Sequence, residues 1–408
     1  MKFGVNYTPR VGWFHSWLDF DPARVDDDLA QIAELGVDHV RIFPLWPILQ
    51  PNRTYIRPKA IDDVATVVEL ASKHRLHAFV DVLNGHLSSF DYLPSWVLSW
   101  HGRNIFADPE VVAAEAELVK TVAGAIKDIP GARGVQLGNE IIQFAAGRHP
   151  SRHEITIPQA HQWLDQMLGA AREAWPEGMH SFNFDDDLWF DATHPFDPAA
   201  AVTYGDLTTV HSWVFGQVGP RYGKDAPENL WFARYLCELA AGWSADPDRA
   251  IWLQEVGAPR NYVSDEKAPD FVRETIGNLI NGHGSAAPKL EGITWWCSHD
   301  VNRELGDFPE LEHTLGLIDS NGNVKPEGEA LRECAELWGG GRVGTATAPL
   351  ERPVMEISVS PETRDATAPR SEFFATWVER AQAGEVPAIR IATESLNSSH
   401  TVKEGSEN

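Results

Sequence analysis

Phe3-Gly4-Val5-Asn6-Tyr7, residues 22–35 and His39-Val40-Arg41-Ile42-Phe43 form a short extended run, an amphipathic run opening on Pro22, and a second extended run. Asp21 or Asp19 ahead of Pro22 predicts an N-cap followed by proline in the first helical turn. Strand, helix, strand is the unit from which parallel sheets are built. The alternation continues down the chain. Further strands are predicted at His77 to Val82, Gly134 to Gly138, His180 to Phe184, Leu207 to His211, Ala250 to Gln254 and Gly292 to Trp296. Amphipathic runs separate them at residues 61–73, 109–129, 158–174, 228–242 and 268–281, with Asp108 before Pro109 as another cap. Eight strands with about six helices in roughly 300 residues match an α/β fold of the (β/α)8 TIM-barrel type better than an open sheet.

The chain has 408 residues, 43% of them hydrophobic. One barrel needs roughly 250 residues, so a small C-terminal appendage is expected beside it. Residues 1–338 are read as the barrel. The Gly-rich segment 339–353 reads as a linker; its Gly339-Gly340-Gly341 run has no feeding strand and no following Lys-Ser/Thr, so it is no phosphate loop. Residues 354–393 read as strand, helix and strand. The polar residues 394–408 read as a disordered tail.

A formal charge of −25 sets a repulsive field against nucleic acid and acidic membrane surfaces, leaving a small neutral molecule as the expected partner. A homo-oligomer stays open. Cys237, Cys297 and Cys334 are too dispersed for a disulfide framework or a zinc pattern. The N-terminus shows no basic and apolar leader, and no segment approaches the roughly 18 apolar residues of a membrane span, so a cytoplasmic protein is expected. Any sugar substrate would then be an imported, small one.

Two predicted strands end in glutamate: Gly134-Val135-Gln136-Leu137-Gly138-Asn139-Glu140 and Ile251-Trp252-Leu253-Gln254-Glu255. On a barrel the C-terminal strand ends form the active-site face. A carboxyl pair there suits glycosidic hydrolysis with retention, which needs one protonated acid and one ionised nucleophile about 5–5.5 Å apart. Sixteen tryptophans, several of them just after strand-like runs (Trp46, Trp96, Trp100, Trp213, Trp295 and Trp296), suit stacking on sugar rings as well as ordinary core packing.

This arrangement resembles the clan of retaining (β/α)8 glycosidases that includes glycoside hydrolase family 5. The resemblance implies Glu140 as acid/base, Glu255 as nucleophile and Asn139 as ligand of the sugar 2-hydroxyl. It implies that Arg41 lies beneath the nucleophile and keeps it ionised, and that His86, His211 and Trp295 or Trp296 belong to the substrate site. Trp213 stands where the clan often has a Tyr, which puts the usual phenol contact to the nucleophile in question. No metal or organic cofactor is implied.

The stretches Leu93-Pro94-Ser95-Trp96, Asn104 to Pro109, His313 to Asp319 and Val324-Lys325-Pro326 extend the resemblance to mannosidases and mannanases of the family. It is most specific to β-mannosidases acting on mannosyl-β-1,4-N-acetylglucosamine of N-glycan cores. An endo-β-1,4-mannanase or β-glucosidase on the same scaffold is the alternative, and a non-catalytic carbohydrate-binding barrel is another. Asp300 and Asn302 either bind sugar hydroxyls or order their loop. His149 and His153 have a ligand-like spacing, but Pro150 breaks any helix between them, so a solvated loop is expected there. Cys297 lacks an activating partner for a nucleophilic role.

Overall fold

The computed structural model describes residues 1–100, 102–280, 288–340 and 352–392. Seven parallel strands form the central sheet: β1 (Lys2–Asn6), β2 (His39–Ile42), β3 (His77–Asp81), β6 (Ala132–Gln136), β7 (Thr208–Ser212), β8 (Ile251–Val256) and β9 (Leu290–Trp295). A two-residue hairpin, β4 (His86–Leu87) with β5 (Phe90–Asp91), stands on the loop after β3. The sheet order is β6-β3-β2-β1-β9-β8-β7, so the first and last strands of the barrel lie side by side and the sheet curls round on itself.

The remaining gap, between β6 and β7, is spanned by residues 180–184, where a full strand was expected. Only one bridge forms there, between Gln136 and Ser181. Side chains occupy the groups a ladder would use: Val135 N–H donates to His180 Nδ1 at 3.2 Å, and His180 N–H to Asp206 Oδ2 at 2.7 Å. On the other flank the Thr209 hydroxyl donates to the Phe182 carbonyl at 2.7 Å. The segment therefore closes the TIM barrel as an eighth stave without regular strand pairing.

The helices start where capping chemistry places them. The Asp21 side chain accepts from Ala23 N at the head of Pro22–Glu34, and Asp108 caps Pro109–Ile126 in the same way. Thr156 and Gln159 form a reciprocal capping box on Ile157–Ala174. Each helix turns an apolar stripe to the sheet, where a fully buried Val or Leu such as Val40, Leu29 or Val64 contributes roughly 1.5–3 kcal/mol. The end of the barrel opposite the cleft is plugged by His39, Phe79, Trp252 and Thr294, with His39 Nε2 and Trp252 Nε1 both within 2.7 Å of Thr294 Oγ1. Burial pushes the His39 pKa down to about 3, which keeps the ring neutral. Gly4 makes this plug possible, since a Cβ on it would stand 2.2 Å from the His39 ring.

Beyond the barrel, β10 (Val354–Ser358) and β11 (Ala388–Ala392) pair in parallel around the helix Glu372–Gln382. That helix lays Phe374 and Trp377 against Tyr235 of the barrel helix Pro227–Trp243. Arg364, 1% exposed, reaches further and donates through Nη2 to the carbonyls of Asp191, His194 and Phe196. Most of the expected linker (residues 341–351) and the expected tail with Thr393 lie outside the described residues. Among the described residues no helix is long and apolar enough to cross a membrane.

Candidate active site

Glu140 is delivered to the cleft by a tight backbone turn after β6. Gly138 has φ 88°, and a Cβ there would lie 2.3 Å from the Leu83 carbonyl oxygen. Glu140 itself takes φ 43°, a left-handed conformation unusual for a residue with a side chain and a local strain of the kind found at functional sites. Glu255 needs no such turn, because it lies within β8 with its side chain directed into the barrel mouth. One oxygen of each carboxyl and a nitrogen of His211 all lie within 4.8 Å of one another.

Arg41 sits beneath this pair, fully buried. Its Nη1 donates to Glu255 Oε1 at 2.9 Å and to Asn6 Oδ1 at 2.7 Å, Nη2 donates to Asn139 Oδ1 at 3.2 Å, and Nε donates to Gln136 Oε1 at 2.9 Å. Asp81 also pairs with it at 3.0 Å. Even so, burial pushes Asp81 up to about 6. Because a guanidinium only donates, the Asn139 carbonyl must be the end it holds, and the Asn139 amide NH2 is left to the cleft. Arg41 forms no part of the cleft wall; it acts on the groups that do.

His211 is likewise buried behind the wall. Its Nδ1 lies 2.7 Å from Glu140 Oε1 and its Nε2 lies 3.0 Å from Gln254 Oε1. Burial disfavours the imidazolium, but Glu255 and Glu140 outweigh it and raise the His211 pKa. The Glu140 pKa is raised first by burial and further by Glu255, while the His211 hydrogen bond works the other way. A proton is thus shared along Glu140 and His211 next to a second carboxylate held by Arg41. Such a pair offers one acid and one nucleophile.

The cleft above them has a volume of about 530 Å³, within the span of about 300–1,000 Å³ usual for small-molecule sites. Asn139, Glu140, Glu255, His86, Trp213 and Trp296 all line it. The Trp213 indole N–H donates to Glu255 Oε2 at 3.2 Å, so the contact left in question by the missing Tyr is made by an indole.

Other expected members fall elsewhere. Trp295 packs outside the barrel against Phe271, since successive residues at a strand end point to opposite faces; Trp296 alone of the pair reaches the cleft. Asp300 accepts from Gly316 N at 2.8 Å and Lys325 Nζ at 2.9 Å, and Asn302 accepts from Glu304 N at 2.9 Å, so both order their loop rather than line the cleft. Trp46 and Trp96 pack edge to face on one another, and Trp100 is exposed. Cys297 is buried and its thiol pKa is pushed well up.

The loop around His149 is exposed at residues 147–148 and 150–152, as expected, but His149 itself turns inward. His149 packs on Phe144 and lines the cleft, with its Nε2 3.1 Å from Asp91 Oδ2, while Asp91 Oδ1 lies 2.9 Å from His86 Nδ1. Ser151 N–H donates to His149 Nδ1 at 3.1 Å, which puts the His149 proton on Nε2 and directs it at Asp91. The spacing of His86, Asp91 and His149 would suit a metal ion, but this tautomer makes it a hydrogen-bonded relay. The run Asp185, Asp186 and Asp187 has similar spacing, and there Arg148 supplies the cation, 2.8 Å from Asp185 Oδ2 and paired also with Asp187.

Groups on the cleft that were missed in the sequence include Asp91, Gln143, Arg148, the aspartates 185 and 186, and Glu312. Asp185 and Asp186 directly follow Ser181-Phe182-Asn183-Phe184, the same strand-end position that drew attention to Glu140, and could have been found on that ground. Glu312 lies in a long loop with no periodicity to mark it.

No protein-family model matches the chain, and no curated protein does either. Solved structures do. A Glu-to-Ala variant of GH5_18 from Streptomyces cattleya, in complex with Manβ1-4GlcNAc, is 43% identical, with a TM-score of 0.91 over 96% of this chain and 94% of that one. The corresponding complex from Bifidobacterium longum subsp. longum ATCC 55813 is 43% identical, with a TM-score of 0.90 over 96% and 91%. An exo-β-1,4-mannosidase from Opitutaceae bacterium strain TAV5, 19% identical with a TM-score of 0.75 over 96% of this chain and 69% of that one, shares the fold. With more than two-fifths identity over nearly the whole of both chains, beside a paired-glutamate cleft on a (β/α)8 barrel, this chain belongs to subfamily 18 of glycoside hydrolase family 5.

Proposed function

We propose that the chain is a retaining exo-β-mannosidase that releases mannose from Manβ1-4GlcNAc, with Glu255 as nucleophile, Glu140 as general acid/base and Asn139 as ligand of the sugar 2-hydroxyl. The carrying observation is the approach of the two carboxyls to within 4.8 Å, which leaves no room for the water that an inverting enzyme places across a gap of about 6.5–9.5 Å. The choice of disaccharide is supported by the Streptomyces and Bifidobacterium relatives, both solved with Manβ1-4GlcNAc.

In the first step a Glu255 oxygen bonds to the anomeric carbon as the glycosidic C–O bond breaks. The leaving oxygen takes the bonding pair together with the proton of Glu140. Loss of the Glu255 charge on forming the ester removes the repulsion that favoured protonated Glu140. The Glu140 carboxylate then accepts a proton from water, whose oxygen displaces Glu255 and gives mannose with its configuration retained. The same proposal puts the reaction in the cytoplasm, on an imported fragment of an N-glycan core.

Incubation with Manβ1-4GlcNAc and, separately, with β-1,4-mannooligosaccharides tests the substrate. Free mannose is expected from the first alone, and internal cleavage of the second would refute exo action. Glu255→Ala with added azide should yield a mannosyl azide of inverted configuration, and Glu140→Ala one of retained configuration. Interchanged products would reverse the two roles.

A further inference from the structure

Glu312 is a buried acid without a cationic partner among the described residues. It sits in the 3-10 turn Glu310–Thr314, is 6% exposed, and lines the cleft beside Trp296. No basic side chain among the described residues pairs with it, and its Oε2 has no hydrogen-bond partner. Burial pushes its pKa up to about 7, only partly offset by the Ser88 and Trp296 side chains against it. A carboxyl oxygen left this way is costly unless something satisfies it. The residue itself stands in the cleft wall.

The backbone that carries it is well held. Glu312 N–H donates to the Pro309 carbonyl at 3.0 Å, Val301 N–H donates to the Glu312 carbonyl at 3.2 Å, and His313 Nδ1–H donates to the Val301 carbonyl at 2.9 Å. Behind the turn an apolar cluster joins Phe308 and Leu315 to Trp13 and Phe14. Such a turn forms a fixed wall.

The two ends of the cleft differ. The acid/base must face the leaving group, and the turn that Glu140 opens carries Gln143, which donates to Asp185, itself paired with Arg148; these mark the leaving-group end. Glu312 stands with Trp296, whose ring lies 6.2 Å from that of Trp213, the donor to Glu255. It therefore belongs to the end that receives the non-reducing sugar.

We propose that Glu312 selects the non-reducing sugar: its carboxyl, at the cleft wall, holds a hydroxyl on the side of that ring remote from the anomeric carbon, and its turn closes the cleft there, confining cleavage to a terminal residue. This rests on the mannosidase reading above. A residue at this wall reads the sugar without touching the reacting atoms.

The test uses p-nitrophenyl β-mannoside and its 3-, 4- and 6-deoxy analogues with the wild type, Glu312→Gln and Glu312→Ala. An aryl leaving group makes the readout insensitive to the other end of the cleft. Glu312→Ala should lose roughly 10- to 100-fold in kcat/KM on the parent mannoside, and the isosteric Glu312→Gln less. On at least one deoxy analogue the wild type should be impaired and the variants should differ from it by less than about 3-fold, because the hydroxyl that Glu312 holds is gone. Equal loss on the parent and all three analogues, or no loss on any, overturns the proposal; a cooperative melting transition in each variant shows that it is folded. A wild type inactive on the mannoside itself refutes the mannosidase reading and this proposal together, a result distinct from an active wild type with indifferent variants.

Discussion

The indole N–H of Trp213 donates to Glu255 Oε2 at 3.2 Å, while Arg41 holds Oε1 of the same carboxylate at 2.9 Å. Both oxygens are oriented, one by a cation and one by a neutral donor. Trp213→Phe keeps an aromatic wall and deletes the donor. We expect kcat to fall roughly 10- to 100-fold, the range for losing a hydrogen bond to a charged group, with little change in melting temperature. Steady-state kinetics beside thermal melting checks this, and Trp213→Tyr, which restores a donor, should recover part of the loss.

As the proposed general acid, Glu140 should set the alkaline limb of the activity profile. Its acid form is the competent one for the first step, and burial together with Glu255 raises its pKa above the ordinary value. Activity should therefore persist above a glutamate's usual pKa of about 4.3 and fall as pH rises through the raised value. The His211 hydrogen bond lowers the same pKa, so His211→Ala should move the alkaline limb of kcat/KM to higher pH. A limb unmoved by that substitution would mean that another group controls it.

Arg41→Met removes the cation shared by Asp81 and Glu255, both buried. Stranding buried carboxylates costs about 3–5 kcal/mol. Denaturant unfolding should show a loss of that order together with loss of turnover. Arg41→Lys keeps the charge but cannot reach five acceptors, and should fall between the two.

Glu312 also gives a stability signature. Its folded pKa of about 7 lies above its unfolded value of about 4.3. Its contribution is thus fully present below the unfolded value and is lost as pH rises through about 7. Glu312→Gln lacks this dependence, so its melting temperature relative to wild type should rise by a few degrees across that window. Scanning calorimetry at several pH values would show it; parallel curves would not fit.

The barrel was readable because strands and helices carry period. The β1 to β3 and β6 to β9 positions were all visible as extended runs between amphipathic ones. Residues 180–184 looked the same, but the His180 and Asp206 side chains took the hydrogen bonds that pairing needs. At the site, Glu140, Asn139 and Glu255 were legible as strand ends. Trp295 and Trp296 could not be separated, since which of two neighbours faces inward depends on where the strand stops. Glu312 and Arg148 sit on loops, where spacing in sequence says little about proximity in space.

Arg364 donates to carbonyls of Asp191, His194 and Phe196, some 170 residues earlier, on the segment that follows Asp185 and Asp186. One side of the cleft is therefore fastened from outside the barrel. A chain shortened after its last barrel helix would retain both glutamates and still lack the brace for the wall that meets the departing sugar. During synthesis that brace can form only after residue 364 has been made, so the two glutamates would be in place before the wall beside them is fastened.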